Sequence, residues 1–330
     1  MKKTVLIKST LLMCLILLSL TLLPACASPK KLSPLHVEGT QLVDKKGKAV
    51  QLKGISTHGI AWYPEYINEE CFRELKEDWG ADIVRLAMYT AEDGGYLTDG
   101  NPEELKALIE KGVNLATENG MYVIIDWHML HDGDPNSHVE EAAAFFDEMS
   151  AKFADYTNVL YEICNEPNTT DWNGITAYAD RVIPVIRNNA PDAVVIVGTP
   201  SYSSLIMAPT YAPLSYDNVM YALHFYAATH RESIRKDLLS ALEKGLPVFV
   251  SEYGICYSSG NGDIDYESAE AWAALLDENM VSSCAWNLSA KEETCALLKP
   301  GVSKTSGFAT EDLSDSGRWV LNYLSGKDGL

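Results

Sequence analysis

Val159-Leu160-Tyr161-Glu162-Ile163-Cys164-Asn165-Glu166-Pro167 is a short apolar run that stops abruptly at a carboxylate and then meets a helix breaker. Pro247-Val248-Phe249-Val250-Ser251-Glu252-Tyr253-Gly254 repeats the pattern further along the chain. Both read as strands covered on two faces, where a brief apolar run is bounded by turn formers. A carboxylate at the end of such a strand is costly to bury without a partner, so Glu166 and Glu252 each call for a reason.

Outward from this pair, buried-type strands are expected at 52–56, 82–88, 122–126, 159–164, 193–197, 219–223, 248–251 and 283–286. Helical patterns lie between them at 69–79, 102–118, 139–153, 172–188, 233–244 and 268–278. Pro102 and Glu103 suit a first helical turn, Gly120 follows as a stop signal, and Asn188-Asn189-Ala190-Pro191 ends another helix. Eight strands, each followed by a helical segment, are the arithmetic of a single (β/α)8 TIM barrel of the α/β class. A doubly wound sheet also alternates strands and helices, but eight strands without a glycine-rich phosphate loop argue against it. Ahead of the barrel, 35–39 and 41–43, a turn at 44–48 and the following 49–52 read as an N-terminal β-hairpin placed to plug the barrel's bottom. No internal repeat or second domain is visible.

The 330 residues are 47% apolar and 22% charged, ordinary for a globular protein, with a formal net charge of −20. Such acidity argues against nucleic acid or an anionic membrane surface as a partner. Residues 1–25 read as a signal peptide. Lys2 and Lys3 precede an apolar run at 11–23 that is too short for a confident membrane span. The run ends in Leu23-Pro24-Ala25-Cys26, which resembles the lipobox of bacterial lipoproteins and makes Cys26 the candidate lipidation site. Plain secretion, with cleavage near the alanines, is the alternative. Residues 26–35 read as a tether and 36–326 as the catalytic barrel. The remaining cysteines, Cys71, Cys164, Cys256, Cys284 and Cys295, are odd in number and irregularly spaced. They form neither a disulfide framework nor a zinc pattern, and a Cys284–Cys295 bridge is left as an open option.

In a barrel of this kind the site forms at the C-terminal strand ends. Those positions hold His58, Arg85, His128, Asn165 with Glu166, His224 with Tyr226, Glu252 and Trp286, while the fifth strand, ending near Gly198, is blank. A lone histidine is more often structural, but this many polar and aromatic residues at one rim read as a site. Two carboxylates aimed at one mouth are the acid/base and nucleophile of glycoside hydrolysis.

The chain resembles glycoside hydrolase family 5, in the bacterial endoglucanase (cellulase) branch. The matching segments are 53–59, 84–89, 125–128, 161–167, 222–227, 251–254 and 286–291, in the family's order. The resemblance implies a retaining endo-β-1,4-glucanase with Glu166 as acid/base and Glu252 as ionised nucleophile. Acid catalysis by Glu166 calls for a raised pKa from burial and a nearby negative charge. It further implies that Asn165 binds the sugar 2-OH, that Tyr226 orients Glu252, and that His58 and His128 contact hydroxyls. Trp286 would stack on the sugar at the cleavage point, with Trp62 and Tyr89 lining neighbouring subsites. Lys291 and Glu293 resemble the branch's hydroxyl-binding pair. Arg85, in an otherwise apolar strand, is expected to pair with Glu252, and His224 to position Glu166.

His128, His131, Asp132, Asp134 and His138 cluster in one stretch, but their spacing fits neither a zincin helix nor a calcium loop. No metal or cofactor is expected. The expected partner is a β-glucan chain, met by a monomer outside the cell. Mannan, xyloglucan or mixed-linkage glucan are the substrates the same residues also permit. A non-catalytic glycan-binding lipoprotein has no need of Glu166 and Glu252. A two-lobed sugar-binding protein does not provide this strand count.

Overall fold

The eight apolar runs close into a ring. The computed structural model describes residues 32–326; the signal segment, most of the tether and Cys26 lie outside that range. The ring contains β3 (Lys53–Thr57), β4 (Ile83–Tyr89), β5 (Tyr122–His128), β6 (Val159–Glu162), β7 (Val195–Val197), β8 (Val219–Tyr226), β9 (Val248–Gly254) and β10 (Ser283–Leu288). Every neighbouring pair is parallel, and β10 closes onto β3. Parallel strands need both faces covered, and all eight are buried along nearly their whole length.

The outer layer follows from amphipathic sequence and well-placed caps. Helix Glu69–Glu77 starts where the Asn68 side chain accepts from Cys71 N, and Asn101 and Asp171 do the same for Pro102–Glu118 and Trp172–Asn189. Val139–Lys152, Glu232–Glu243 and Tyr266–Glu278 complete the helices given bounds from the sequence, and Asp315–Ser325 follows β10. One expectation fails outright. No regular helix follows β7: Pro200–Ser203 is a tight coil in which Ser201, Tyr202 and Ser203 all take left-handed φ of 53–60°. Gly198 explains the crowding there, because a Cβ on it would sit 2.2 Å from the Cys164 carbonyl oxygen.

The hairpin of β1 (Leu35–Glu38) and β2 (Gln41–Asp44) closes one end. Its Leu35 and Leu42 join Leu52, Ile83, Ile124, Leu160, Ile196, Met220 and Phe249 in one apolar cluster, so the hairpin caps the barrel interior. The entering chain is tied to the same end, where the Tyr122 and Thr157 hydroxyls donate to the carbonyls of Ser33 and Leu32 at 2.8 and 2.7 Å. Polar chemistry is left for the opposite end.

Candidate active site

Several of the expected strands run further than their apolar stretches. Among them β5 continues to His128, β8 to Tyr226 and β9 to Gly254, so His128, His224, Tyr226 and Glu252 are held on regular strand backbone rather than in loops. β6 instead stops at Glu162. Glu166 therefore stands in the loop above, which is pinned by Asn165 N donating to Trp127 O and Glu166 N donating to Met129 O.

Arg85 corrects the strand-end reading. It lies mid-strand, opposite Ser56 and Ile124, and is wholly buried. A buried guanidinium is tolerable only when its fork is filled, and here it is. Nε donates to Glu162 Oε2 at 2.7 Å, Nη1 to Glu252 Oε2 at 3.1 Å and Nη2 to Asn165 Oδ1 at 2.7 Å. Nη2 also lies 3.0 Å from Asp126 Oδ2. The pairing with Glu252 is present, but Arg85 serves two further carboxylates that the residue pattern did not single out.

Above this floor opens a cleft of about 580 Å³. Glu166, Glu252, His58, Tyr89, His128, His224, Tyr226, Trp286, Lys291 and Glu293 line it. Asn165 and Arg85 lie beneath, and Trp62 stands outside it, stacked on Tyr89 at 4.6 Å. One oxygen of Glu166, one of Glu252 and a ring nitrogen of His224 lie within 4.8 Å of one another. The Tyr226 hydroxyl donates to Glu252 Oε1 at 2.8 Å, and His224 Nδ1 is 2.9 Å from Glu166 Oε1. Trp286 lies parallel to His128 at 5.0 Å, giving one wall an aromatic face beside polar side chains. Lys291 Nζ sits 2.6 Å from Glu293 Oε2 and 3.1 Å from His58 Nε2.

These distances set the charges. Burial, then the Lys291 ammonium, lowers His58 to about 4, so its ring is neutral at ordinary pH. Burial works against charge on His224, but the carboxylates of Glu162 and Glu166 on either side raise it to about 9. Burial, followed by the charge of Glu166, lifts Glu252 above the ordinary carboxylate range, opposed by His224, Arg85 and Tyr226. The Glu166 side chain is 13% exposed and that of Glu252 5%. What favours the ionised form of Glu252 is its pair of donors, Arg85 and Tyr226.

Residues 43–292 match the model of the cellulase family, glycosyl hydrolase family 5. The chain belongs to that family. It is 48% identical over 295 residues to Endoglucanase A of Butyrivibrio fibrisolvens, covering 88% of this chain and 68% of that one. Against the endoglucanase of Clostridium saccharobutylicum it is 43% identical over 296 residues, covering 89% and 65%. The chain thus spans about two thirds of the length of these curated relatives. Among solved structures, the cellulase Cel5C_n superposes with a TM-score of 0.86 at 43% identity, covering 91% of this chain and 94% of that one. The catalytic domain of Thermobifida fusca endoglucanase Cel5A, solved in complex with cellotetraose, gives 0.85 at 40% identity, covering 88% and 97%.

The family 5 cleft also has walls that the strand-end reading missed. The supposedly blank fifth barrel strand supplies Ser201, Tyr202 and Ser204, with Tyr202 55% exposed on the rim. The available signal was Thr199-Pro200-Ser201-Tyr202, a breaker and an aromatic directly after an apolar run. His230, Ser258, Ser259 and Gly260 also line the cleft. The His/Asp-rich stretch after β5 does not converge on one point. Asp126 Oδ2 is 2.6 Å from His128 Nδ1, Asp132 accepts from Thr90, Asp134 accepts from Asn136 N, and His131 is exposed beside Glu92. The Cys284–Cys295 option is not realised, since the five described cysteines are free thiols. Cys295 instead hydrogen-bonds Cys256 and Glu293. No helix among the described residues is long and apolar enough to cross a membrane.

Proposed function

We propose that this family 5 protein is an endo-β-1,4-glucanase that cleaves internal glucosidic bonds with retention of configuration. The observation that carries the reading is the approach of Glu166 and Glu252, with oxygens within 4.8 Å across an open, aromatic-walled cleft. Retaining enzymes hold their carboxyl groups about 5–5.5 Å apart, whereas inverting ones need roughly 6.5–9.5 Å to admit a water.

In this reading Glu252 attacks the anomeric carbon while the Glu166 carboxyl proton passes to the departing glycosidic oxygen, which keeps the electrons of the broken C–O bond. A glycosyl ester on Glu252 results. Water then adds its oxygen to the anomeric carbon and gives a proton to Glu166, and Glu252 leaves as carboxylate. Asn165 holds the sugar 2-OH while Arg85 fixes the oxygen of its amide. Trp286, Tyr89 and Trp62 offer ring faces to the apolar sides of successive glucose units, and His58, His128, Lys291 and Glu293 take hydroxyls. The leader and Cys26 support a protein held by a lipid anchor outside the cell.

Product analysis on a soluble β-1,4-glucan tests the mechanism, and the β-anomer is expected first. Glu166→Gln and Glu252→Gln are each expected to lower turnover by about 10²–10⁴-fold with the fold intact. Initial release of the α-anomer, or full activity of Glu252→Gln, would overturn the assignment.

A further inference from the structure

Two buried thiols meet behind one wall of the cleft. Cys256 lies just past the end of β9, and Cys295 lies in the segment that follows β10. Neither is more than 1% exposed, and they share a cluster with Tyr89, Tyr226 and Trp286. Their sulfurs are in hydrogen-bonding contact. The backbone holds the two segments side by side: Cys295 N donates to Gly260 O at 3.0 Å, and Thr294 N to Asn261 Oδ1 at 3.3 Å. Gly260 lets them close, because a Cβ there would sit 3.3 Å from Cys295 Sγ on backbone with a φ of +77°.

The pair also touches the site. Cys295 Sγ donates to Glu293 Oε1 at 3.3 Å, an oxygen that accepts as well from Asn287 Nδ2 at 2.7 Å. Ser258, Ser259 and Gly260 on one segment, with Lys291 and Glu293 on the other, line the cleft. The two sulfurs are unequal. Their shared hydrogen bond lowers the Cys256 thiol against its burial, while the same bond and burial together raise Cys295. Cys256 therefore ionises first, and the thiolate is the nucleophile in disulfide chemistry. Burial raises Cys71, Cys164 and Cys284 instead. The stretch 257–262 that covers the pair is exposed at every position but Gly260, so a small oxidant has one short segment to displace.

We propose that Cys256 and Cys295 are a redox pair whose oxidation to a disulfide fastens the segment after β9 to the segment after β10 and weakens sugar binding at Glu293. The second part rests on Glu293 taking a substrate hydroxyl, as in the function proposed above. An exported protein meets conditions in which disulfides form and persist. The oxidant is a low-molecular-weight disulfide. The Cys256 thiolate attacks one of its sulfurs and releases one small thiolate, leaving a mixed disulfide. Cys295 gives up its proton, attacks the Cys256 sulfur and releases the second small thiolate. Two protein thiols thus lose two electrons and two protons, and two small thiols form. The new bond draws the sulfurs to about 2 Å and leaves Cys295 no hydrogen to give Glu293.

The test treats the full-length protein with oxidised glutathione or with dithiothreitol, then alkylates it under denaturing conditions and maps its peptides by mass spectrometry. A peptide pair joined through Cys256 and Cys295 is expected after oxidation, with Cys71, Cys164 and Cys284 alkylated. The KM for cellotetraose is expected to rise about 3- to 10-fold on oxidation, the worth of one hydrogen bond, with kcat within twofold and full return in dithiothreitol. In Cys256→Ala, which keeps the Cys295 bond to Glu293, the oxidant should leave KM unchanged; Cys256→Ser serves if the alanine variant does not fold. Both thiols alkylated, a bridge to another cysteine, retained glutathione, a bridge without a change in KM, or a KM shift that survives in the variant would each overturn the proposal. A protein inactive on cellotetraose would instead sink the glucanase reading, and the peptide map would still decide whether the bridge forms.

Discussion

His224 is the residue at which site chemistry and folding stability meet. Its folded pKa of about 9 lies above the ordinary value of 6.5, so the imidazolium's bonds to Glu166 and toward Glu162 stabilise the fold fully only below pH 6.5. That contribution disappears as pH rises through 9. The melting-temperature gap between wild type and His224→Gln should therefore be widest in mild acid and close between pH 7 and 10; a gap that widens with pH would contradict the assignment. His224, Glu166 and Glu252 were legible in the sequence because each sits in a short ordered motif. Glu162 was not, although it is four residues from Glu166. Its meaning depends on Arg85 and Ser251, which reach it from other strands, and no local pattern records that meeting.

Among the elements, the apolar cores of all eight strands could be read directly, but their ends could not. Apolarity stops where the barrel wall begins to carry the site, while the hydrogen-bond ladder continues through His128, Tyr226 and Glu252. The coil after β7 was obscured for a different reason: left-handed serines and a tyrosine carry no propensity signal. Strand contact itself depends on another glycine. A Cβ on Gly54 would lie 1.8 Å from the Ile83 carbonyl oxygen, so β3 and β4 cannot pair as they do around a side chain. Gly54→Ala is expected to cost about 3 kcal/mol, at the upper end for overpacking, read as a lowered urea midpoint. An unchanged midpoint would show that the two strands separate freely.

For the molecule as a whole, the hairpin seals one end of the barrel and the cleft opens at the other. The lipid attachment proposed at Cys26 is checked by labelling cells with a fatty-acid precursor: Cys26→Ser should abolish the label, and persistent labelling would place the modification elsewhere. Leu32 stands six positions after Cys26, a reach of at most about 22 Å when fully extended. Leu32 and Ser33 are fastened at the hairpin end by Thr157 and Tyr122. A protein held by that leash would stand with its base toward the cell and its mouth turned outward. Polymer chains would then meet the open cleft from the surrounding medium, without having to pass beneath the enzyme.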